Sequence, residues 1–371
     1  GAGAAAGAPA GGTTGAAGEG EPGCALPVGP AGTWVEIPAP AGLAGFTATD
    51  AFAVGSNDLM FAGSTFVSMG LSAPANAEIV RWTDGCWTTE LMIDPTVTEA
   101  PHASVHGTGP NDVWAVAADL LYHRDASGWT RFSDETWRNM VRQPPFMEPL
   151  QFNRVRAAAP GDVWVAATSN VLHLSGGAWT TYNFDDANYP AMGATIGFSF
   201  NDIWIDSPTS VWVVGPSDQV GNTMDFGFVH HFDGTSWTHD GVGVDQVYAI
   251  WRAGAVLWLA QSTLAVLNGQ TARLSLRAFD GTNAPAVAIA GVPANQGQPF
   301  MTSLFGHGAN DVWSAGEDVA HYDGEGWSLV PDAPPSARST DALSNTFVTG
   351  DAGSVWLVTP GPRFFRKVTG P

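Results

Sequence analysis

The chain has 371 residues with 45 Gly, 26 Pro, 16 Trp and 19 Phe against 14 Lys+Arg, a composition of short strands, many turns and an aromatic core rather than of long helices. Its formal net charge of -21 and pI near 4.4 repel phosphate backbones and anionic head groups, which excludes nucleic acid as a partner; no cofactor is expected beyond Ca²⁺ on exposed carboxylates. No stretch approaches the roughly 18 to 20 uncharged apolar residues that span a bilayer as a helix.

Residues 1–23, GAGAAAGAPAGGTTGAAGEGEPG, hold almost nothing that can be buried, and Gly/Ala/Pro/Thr chain of this kind is a flexible tether. The segment resembles the spacer after a removed signal peptide, or after a lipidated cysteine, in bacterial envelope proteins, which implies an extracellular or outer-surface location. We therefore expect a leader over 1–30 and a single domain over 31–371. Cys24 and Cys86 are the two cysteines; they pair in an oxidising compartment and are two thiols in a reducing one.

From residue 57 onward one phrase recurs: NDLMF (57–61), NDVWA (111–115), GDVWV (161–165), TSVWV (209–213), AVLWL (255–259), NDVWS (310–314) and GSVWL (353–357). The anchors Met60, Trp114, Trp164, Trp212, Trp258, Trp313 and Trp356 are 43 to 55 residues apart, the period of propeller blades. A second phrase follows: RWTDGCW (81–87), HRDASGW (123–129), HLSGGAW (173–179), HFDGTSW (231–237) and HYDGEGW (321–327). It reads as a strand, a tight turn tolerant of positive φ, and a Trp opening the next strand. The third copy then divides into four strands, RVRAAA, DVWVAAT, VLHLS and AWTTY.

The fifth copy is degenerate: LAVLNGQTARLSL (264–276) stands where the Asp-Gly-Trp phrase is due, with Asn268-Gly269 as its turn. The seventh copy has three strands, and GTWVEIP (32–38) has the look of its missing fourth. The expected fold is thus all-β, a seven-bladed β-propeller of four-stranded antiparallel blades, with the N-terminal strand closing the last blade and leaving no open edge. Cys86 then opens the outer strand of blade 1 while Cys24 precedes the closing strand next to it, an arrangement that favours a Cys24–Cys86 disulfide.

These phrases resemble the Asp-box hairpin, roughly Ser-x-Asp-x-Gly-x-x-Trp, of bacterial β-propellers, although here the copies lean to His-x-Asp-Gly-x-x-Trp. That family includes sialidases, photosystem assembly factors and many surface proteins, so the resemblance implies the fold and leaves function open.

Repeated residues build blades. His123, His173, His231 and His321 occupy one position of the third strand in different blades, too far apart around the ring for one metal, and are expected to hydrogen-bond a turn or a neighbouring blade. Asp58, Asp112, Asp162 and Asp311 are expected to accept backbone N–H groups at the first turn.

Function belongs to what does not repeat. The long connections, between strands two and three and between blades, emerge on one face. There SDETWRNMVRQPPFMEPLQF (133–152) brings Trp137, Arg138, Asn139 and Arg142, and FDDANYPAMG (184–193) brings Asp185, Asp186 and Tyr189. Rings beside planar amide, guanidinium and carboxylate groups suit an exposed platform for a glycan, peptide or partner protein. The axial channel draws on Asp50, His106, Arg154, Arg156, Asp202 and His307. A sialidase-like site needs an Arg triad with Tyr and Glu, which an inventory of five Tyr and few Arg does not supply in context. Phosphate-loop, G-x-S-x-G, His-Glu-x-x-His and Cys-x-x-Cys motifs are missing too. The leading reading is an extracellular binding module; the alternatives are a hydrolase or lyase at the channel mouth and a structural part of an extracellular assembly.

Overall fold

The anchor phrases become the second strands of seven separate sheets in a computed structural model, which describes residues 24, 26, 29–66, 75–93, 102–133, 136–141, 151–184, 196–219, 226–244, 246–267, 270–281, 283–293, 297–335, 346–359 and 361–369. Each sheet is one blade of a seven-bladed β-propeller. Blade 1 runs Phe46–Gly55, Asp58–Phe66, Ala75–Thr83, Cys86–Ile93, and blade 3 runs Phe152–Ala159, Asp162–Ala167, Asn170–Ser175, Ala178–Asn183. In all seven blades the register leaves a two-residue turn between the first and second strands, as in Gly55↔Asp58, Gly109↔Asp112 and Asp351↔Ser354. The long connections therefore leave from the opposite face.

Closure follows the expected route. Trp34–Ile37 pairs antiparallel with Arg363–Val368 in the register Trp34↔Lys367, so blade 7 has strands from both ends of the chain. Arg363 donates to both Glu36 oxygens at 2.7 Å. The Cys24–Cys86 disulfide, with Cα atoms 4.9 Å apart, staples this closing segment to blade 1, and the Trp87 indole donates to Pro38 O at 2.9 Å beside it.

Blade 5 departs from the four-strand expectation. It has Val247–Ala253, Val256–Leu267 and Gln270–Phe279, and its fourth place is reduced to the bridge Arg277↔Ala286, because Pro285 brings no N–H to a ladder. The expected turn at Asn268-Gly269 lies outside the described residues, and the register Leu267↔Gln270 makes it the link between strands two and three. The third turn falls instead at Asp280-Gly281, where Asn283 N donates to Asp280 Oδ1 at 2.7 Å. Blade 6 gains the short Ile289–Ala290, parallel to its outer strand Trp327–Leu329.

Among the described residues seven apolar clusters form, each shared by two neighbouring blades; Trp114 and Leu121 of blade 2, for example, pack with Val155, Val163 and Leu172 of blade 3. Within a blade, Asp and Trp two residues apart share one face of strand two, and the cross-strand partner of the Trp is the repeated His. In blade 2, Asp112 Oδ1 accepts the Trp114 indole N–H at 3.0 Å and lies 2.9 Å from His123 Nε2, whose ring stacks on Trp114 at 4.2 Å. Blade 6 repeats this with Asp311, Trp313 and His321 at 2.7 and 2.7 Å. Blade 4 substitutes Ser210 for the Asp, 3.0 Å from His231, and blade 1 substitutes Arg81, which donates to both oxygens of Asp58.

The histidines thus bond within their own blades. The strand-two aspartates accept side-chain donors, not the backbone N–H groups expected, because each carboxylate lies on the strand face that also carries Trp and His. It is the Asp-Gly set that takes backbone N–H groups: Asp233 Oδ1 accepts from Thr235 and Ser236, both at 2.8 Å.

The disulfide closes a loop of 62 residues around the ring junction. Cys86→Ser, or reduction, is expected to lower stability by about 2–4 kcal/mol, read as a drop in unfolding midpoint that reductant produces in the native protein but not in the variant.

Candidate functional site

The first strand of each blade lines an axial channel, a cavity of about 950 Å³. Two columns of side chains matter. Facing the anchors are Phe52, His106, Arg156, Trp204, Trp251, Phe305 and Thr349. Two residues earlier, nearer the loop-bearing face, stand Asp50, Ser104, Arg154, Asp202, Ala249, Ser303 and Phe347. Neither column repeats a residue type as the anchors do.

These side chains lean toward the next blade. Asp50 Oδ2 accepts Val105 N at 3.3 Å, Ser104 Oγ accepts Val155 N at 3.0 Å, Asp202 Oδ2 accepts Ile250 N at 3.2 Å and Ser303 Oγ accepts Val348 N at 3.0 Å. The rings facing the anchors need small residues opposite them. Phe305 lies against Gly350, where a Cβ would sit 2.5 Å from the ring and 2.3 Å from Ser354 O, and Phe52 lies likewise against Gly107.

Four charges meet at the axis. Arg156 donates from Nη1 to Asp50 Oδ2 at 2.8 Å and from Nη2 to Asp202 Oδ1 at 3.1 Å, tying blades 1 and 4 to blade 3. Arg154 donates from Nε to Asn201 O at 3.0 Å and from Nη1 to Thr49 O at 2.9 Å, with Asp50 and Asp202 oxygens at 3.4 and 3.3 Å. Burial pushes the Asp50 carboxyl up, but the charges of Arg156 and Arg154 and the hydrogen bonds from Arg156 and Ser104 outweigh it and hold Asp50 at about 2. Burial also works against the Arg156 charge, and Asp50 with Asp202 more than offsets it, raising that guanidinium. His106 accepts Ala157 N on Nδ1 at 3.1 Å; burial, helped by Arg156 and opposed by Asp50, pulls it down to about 3.

Five of the six channel candidates, Asp50, His106, Arg154, Arg156 and Asp202, line the cavity. His307 does not. It sits at the hairpin end of its strand, Nδ1 2.8 Å from Asp311 Oδ2 and Nε2 2.8 Å from Asp351 O, joining blades 6 and 7. Of the lining, sequence reasoning missed Asn201, Tyr248 and Phe347, which become visible only when the residues two and three before the anchor-facing position are compared across the copies.

The platform at the loops is corrected in one part. Trp137 is 2% exposed, in the core between blades 2 and 3 with Phe152 at 5.1 Å, so it pins its loop and offers no open ring. Arg138 lies over that indole at 4.4 Å and donates to Asp119 Oδ2 at 2.7 Å, while Asn139 is exposed at the end of the 3-10 turn Thr136–Asn139. Arg142, Asp185, Asp186 and Tyr189 lie outside the described residues. Among the described residues no group of His, Cys, Asp and Glu is arranged to hold a metal ion.

No protein-family model and no curated protein matches the chain. Solved structures do. It is similar to YCF48 bound to D1 peptide, at 15% identity and a TM-score of 0.55 over 93% of this chain and 99% of that one. YCF48 from Cyanidioschyzon merolae matches at 13% identity and 0.56, over 91% and 98%. PorZ, a surface component of the type-IX secretion system of Porphyromonas gingivalis, matches at 12% and 0.57, covering 86% of this chain but 46% of PorZ. At such identities the likeness is one of fold.

Two outcomes follow from the site. His106 takes up a proton at its ordinary 6.5 when unfolded but only near 3 when folded, so the unfolded state binds more protons between those values and stability falls as pH drops through that window. His106→Gln, which retains an acceptor for Ala157 N–H, is expected to reduce the slope of unfolding free energy against pH, measured by urea titration, by up to about 1.4 kcal/mol per pH unit; an unchanged slope contradicts it. Trp137→Ala is expected to cost about 3–5 kcal/mol of stability, measured by denaturant unfolding.

Proposed function

We propose that this propeller is a binding protein that takes a peptide, or a segment of a partner protein, at the loop-bearing mouth of its axial channel. The observation that carries the reading is the channel itself: about 950 Å³, lined at repeat-equivalent positions by side chains that break the repeat. Blades 1, 3 and 4 contribute the ions and amides Asp50, Arg154, Asp202, Asn153 and Asn201; blades 5 to 7 contribute the partly exposed Leu304 and Phe347 together with Gln246, Tyr248 and Thr302. Apolar side chains set among a few fixed polar groups are what a peptide needs. Likeness of fold to YCF48, solved with a peptide bound, supports the same choice.

The hydrolase or lyase alternative asks for a group that exchanges protons near neutrality. Asp50 at about 2 and His106 at about 3 stand far from that range, and Arg154 and Arg156 are tied into ion pairs. With Trp137 buried, the glycan reading loses its main ring platform. A disulfide at the ring junction suits an oxidising compartment, and we place the protein at the outer cell surface with residues 1–23 as its tether.

An unbiased peptide array followed by hydrogen exchange on the best binder tests this. Protection is expected at the loop-side ends of the inner strands, 102–104, 152–154, 247–249, 301–303 and 346–348, and none at hairpins 56–57, 110–111 and 352–353. Protection confined to the hairpins, or an array with no binder, counts against it.

A further inference from the structure

The four axial charges leave a definite remainder of hydrogen-bonding capacity. Asp50 accepts from Ala51 N at 3.0 Å, Val105 N at 3.3 Å, Ser104 Oγ, and both terminal nitrogens of Arg156. Asp202 accepts from Ile203 N at 2.9 Å, Ile250 N at 3.2 Å and Arg156, with Arg154 Nε at 3.3 Å. A carboxylate offers about four acceptor sites, so both are filled or nearly so.

The guanidinium groups are not. Arg156 uses Nη1 on Asp50 and Val155 O and Nη2 on Asp50 and Asp202. Arg154 uses Nε on Asn201 O and Nη1 on Thr49 O, and no protein acceptor meets its Nη2 among the described residues. Its side chain keeps 15% of its surface exposed where it lines the channel, in the column nearer the loop-bearing mouth.

The cluster is also electrically closed, two arginines against two aspartates. An anion placed on Arg154 Nη2 meets Asp50 and Asp202 within the same cluster, inside a chain of net charge -21. A cation would have to displace or share with the two guanidinium groups that already hold both carboxylates. What fits is a neutral acceptor, such as an amide carbonyl, with its apolar body against Leu304 and Phe347, both partly exposed on the opposite wall.

We propose that the loop-side half of the channel is a subsite for an uncharged acceptor on an apolar body, with Arg154 Nη2 donating to the carbonyl and Leu304 and Phe347 holding the side chain. This deepens the peptide-binding reading and rests on it: the segment enters by its interior or by a blocked end, not by a charged terminus.

Three probes of one body test it: acetyl-Phe-Leu-amide, the neutral form; acetyl-Phe-Leu with a free carboxylate; and Phe-Leu-amide with a free ammonium. Calorimetry or ligand-observed NMR is expected to show the neutral form binding about tenfold more tightly than either charged form, with less than about twofold change between 50 and 500 mM salt. Arg154→Lys, which keeps the charge beside Asp50 but loses the planar donor, is expected to weaken the neutral probe about fivefold or more. Leu304→Ala is expected to weaken it comparably, and the unfolding midpoints of both variants show whether the fold is retained.

Equal or tighter binding of a charged form overturns the subsite, as does neutral-probe affinity unaffected by both substitutions in folded protein. If none of the three probes binds while an array peptide does, the subsite is wrong and the wider binding reading stands; if the array is empty as well, both fall.

Discussion

The inner strands of neighbouring blades are joined by single side chains reaching across to main-chain N–H groups, and the ring depends on those bonds. Asp50, Ser104, Asp202 and Ser303 each accept an N–H of the following blade at 3.0 to 3.3 Å. All four are at most 7% exposed. A buried N–H without an acceptor is costly, so each such side chain fixes the height and rotation of the next blade. The apolar clusters between blades supply the larger share of the driving force, but hydrophobic contact is non-directional and does not by itself set register.

Around that ring the blade is a local device. The Asp-x-Trp of strand two and the His or Arg of strand three lie side by side because strand residues two apart share a face and the hairpin sets the partner. This chemistry is complete within one blade. Its residues recur for structural reasons, and a histidine that stacks on its own blade's indole has no neighbour with which to share a metal.

The axial charges are the opposite case. Buried ion pairs bring little net stability, since desolvating the ions offsets most of the attraction between them. Arg154 and Arg156 occur in one blade only and reach partners in blades 1 and 4. Their effect is on shape and chemistry: they bring the channel's ion pairs together at blades 1, 3 and 4 and leave an Arg154 donor where that side chain lines the channel.

Much of this was legible before any coordinates. Seven anchors at a regular period, Asp-Gly turns followed by Trp, and an orphan strand at 32–38 determined the blade number, the strand order and the route of closure, because these depend on periodicity and turn chemistry carried by residues adjacent in sequence. The disulfide was legible as a consequence of closure. Blade 5 was misread because Asp280-Gly281 lacks the following Trp and the better-looking Asn268-Gly269 lies one connection earlier. Only the tertiary structure decided that Trp137 is core rather than platform, that His307 joins blades 6 and 7, and that Asp50 and Asp202 share the two arginines. Each of those outcomes depends on which residues of different blades meet, the last two through bonds 44 to 106 residues apart in sequence, and no local pattern encodes such meetings.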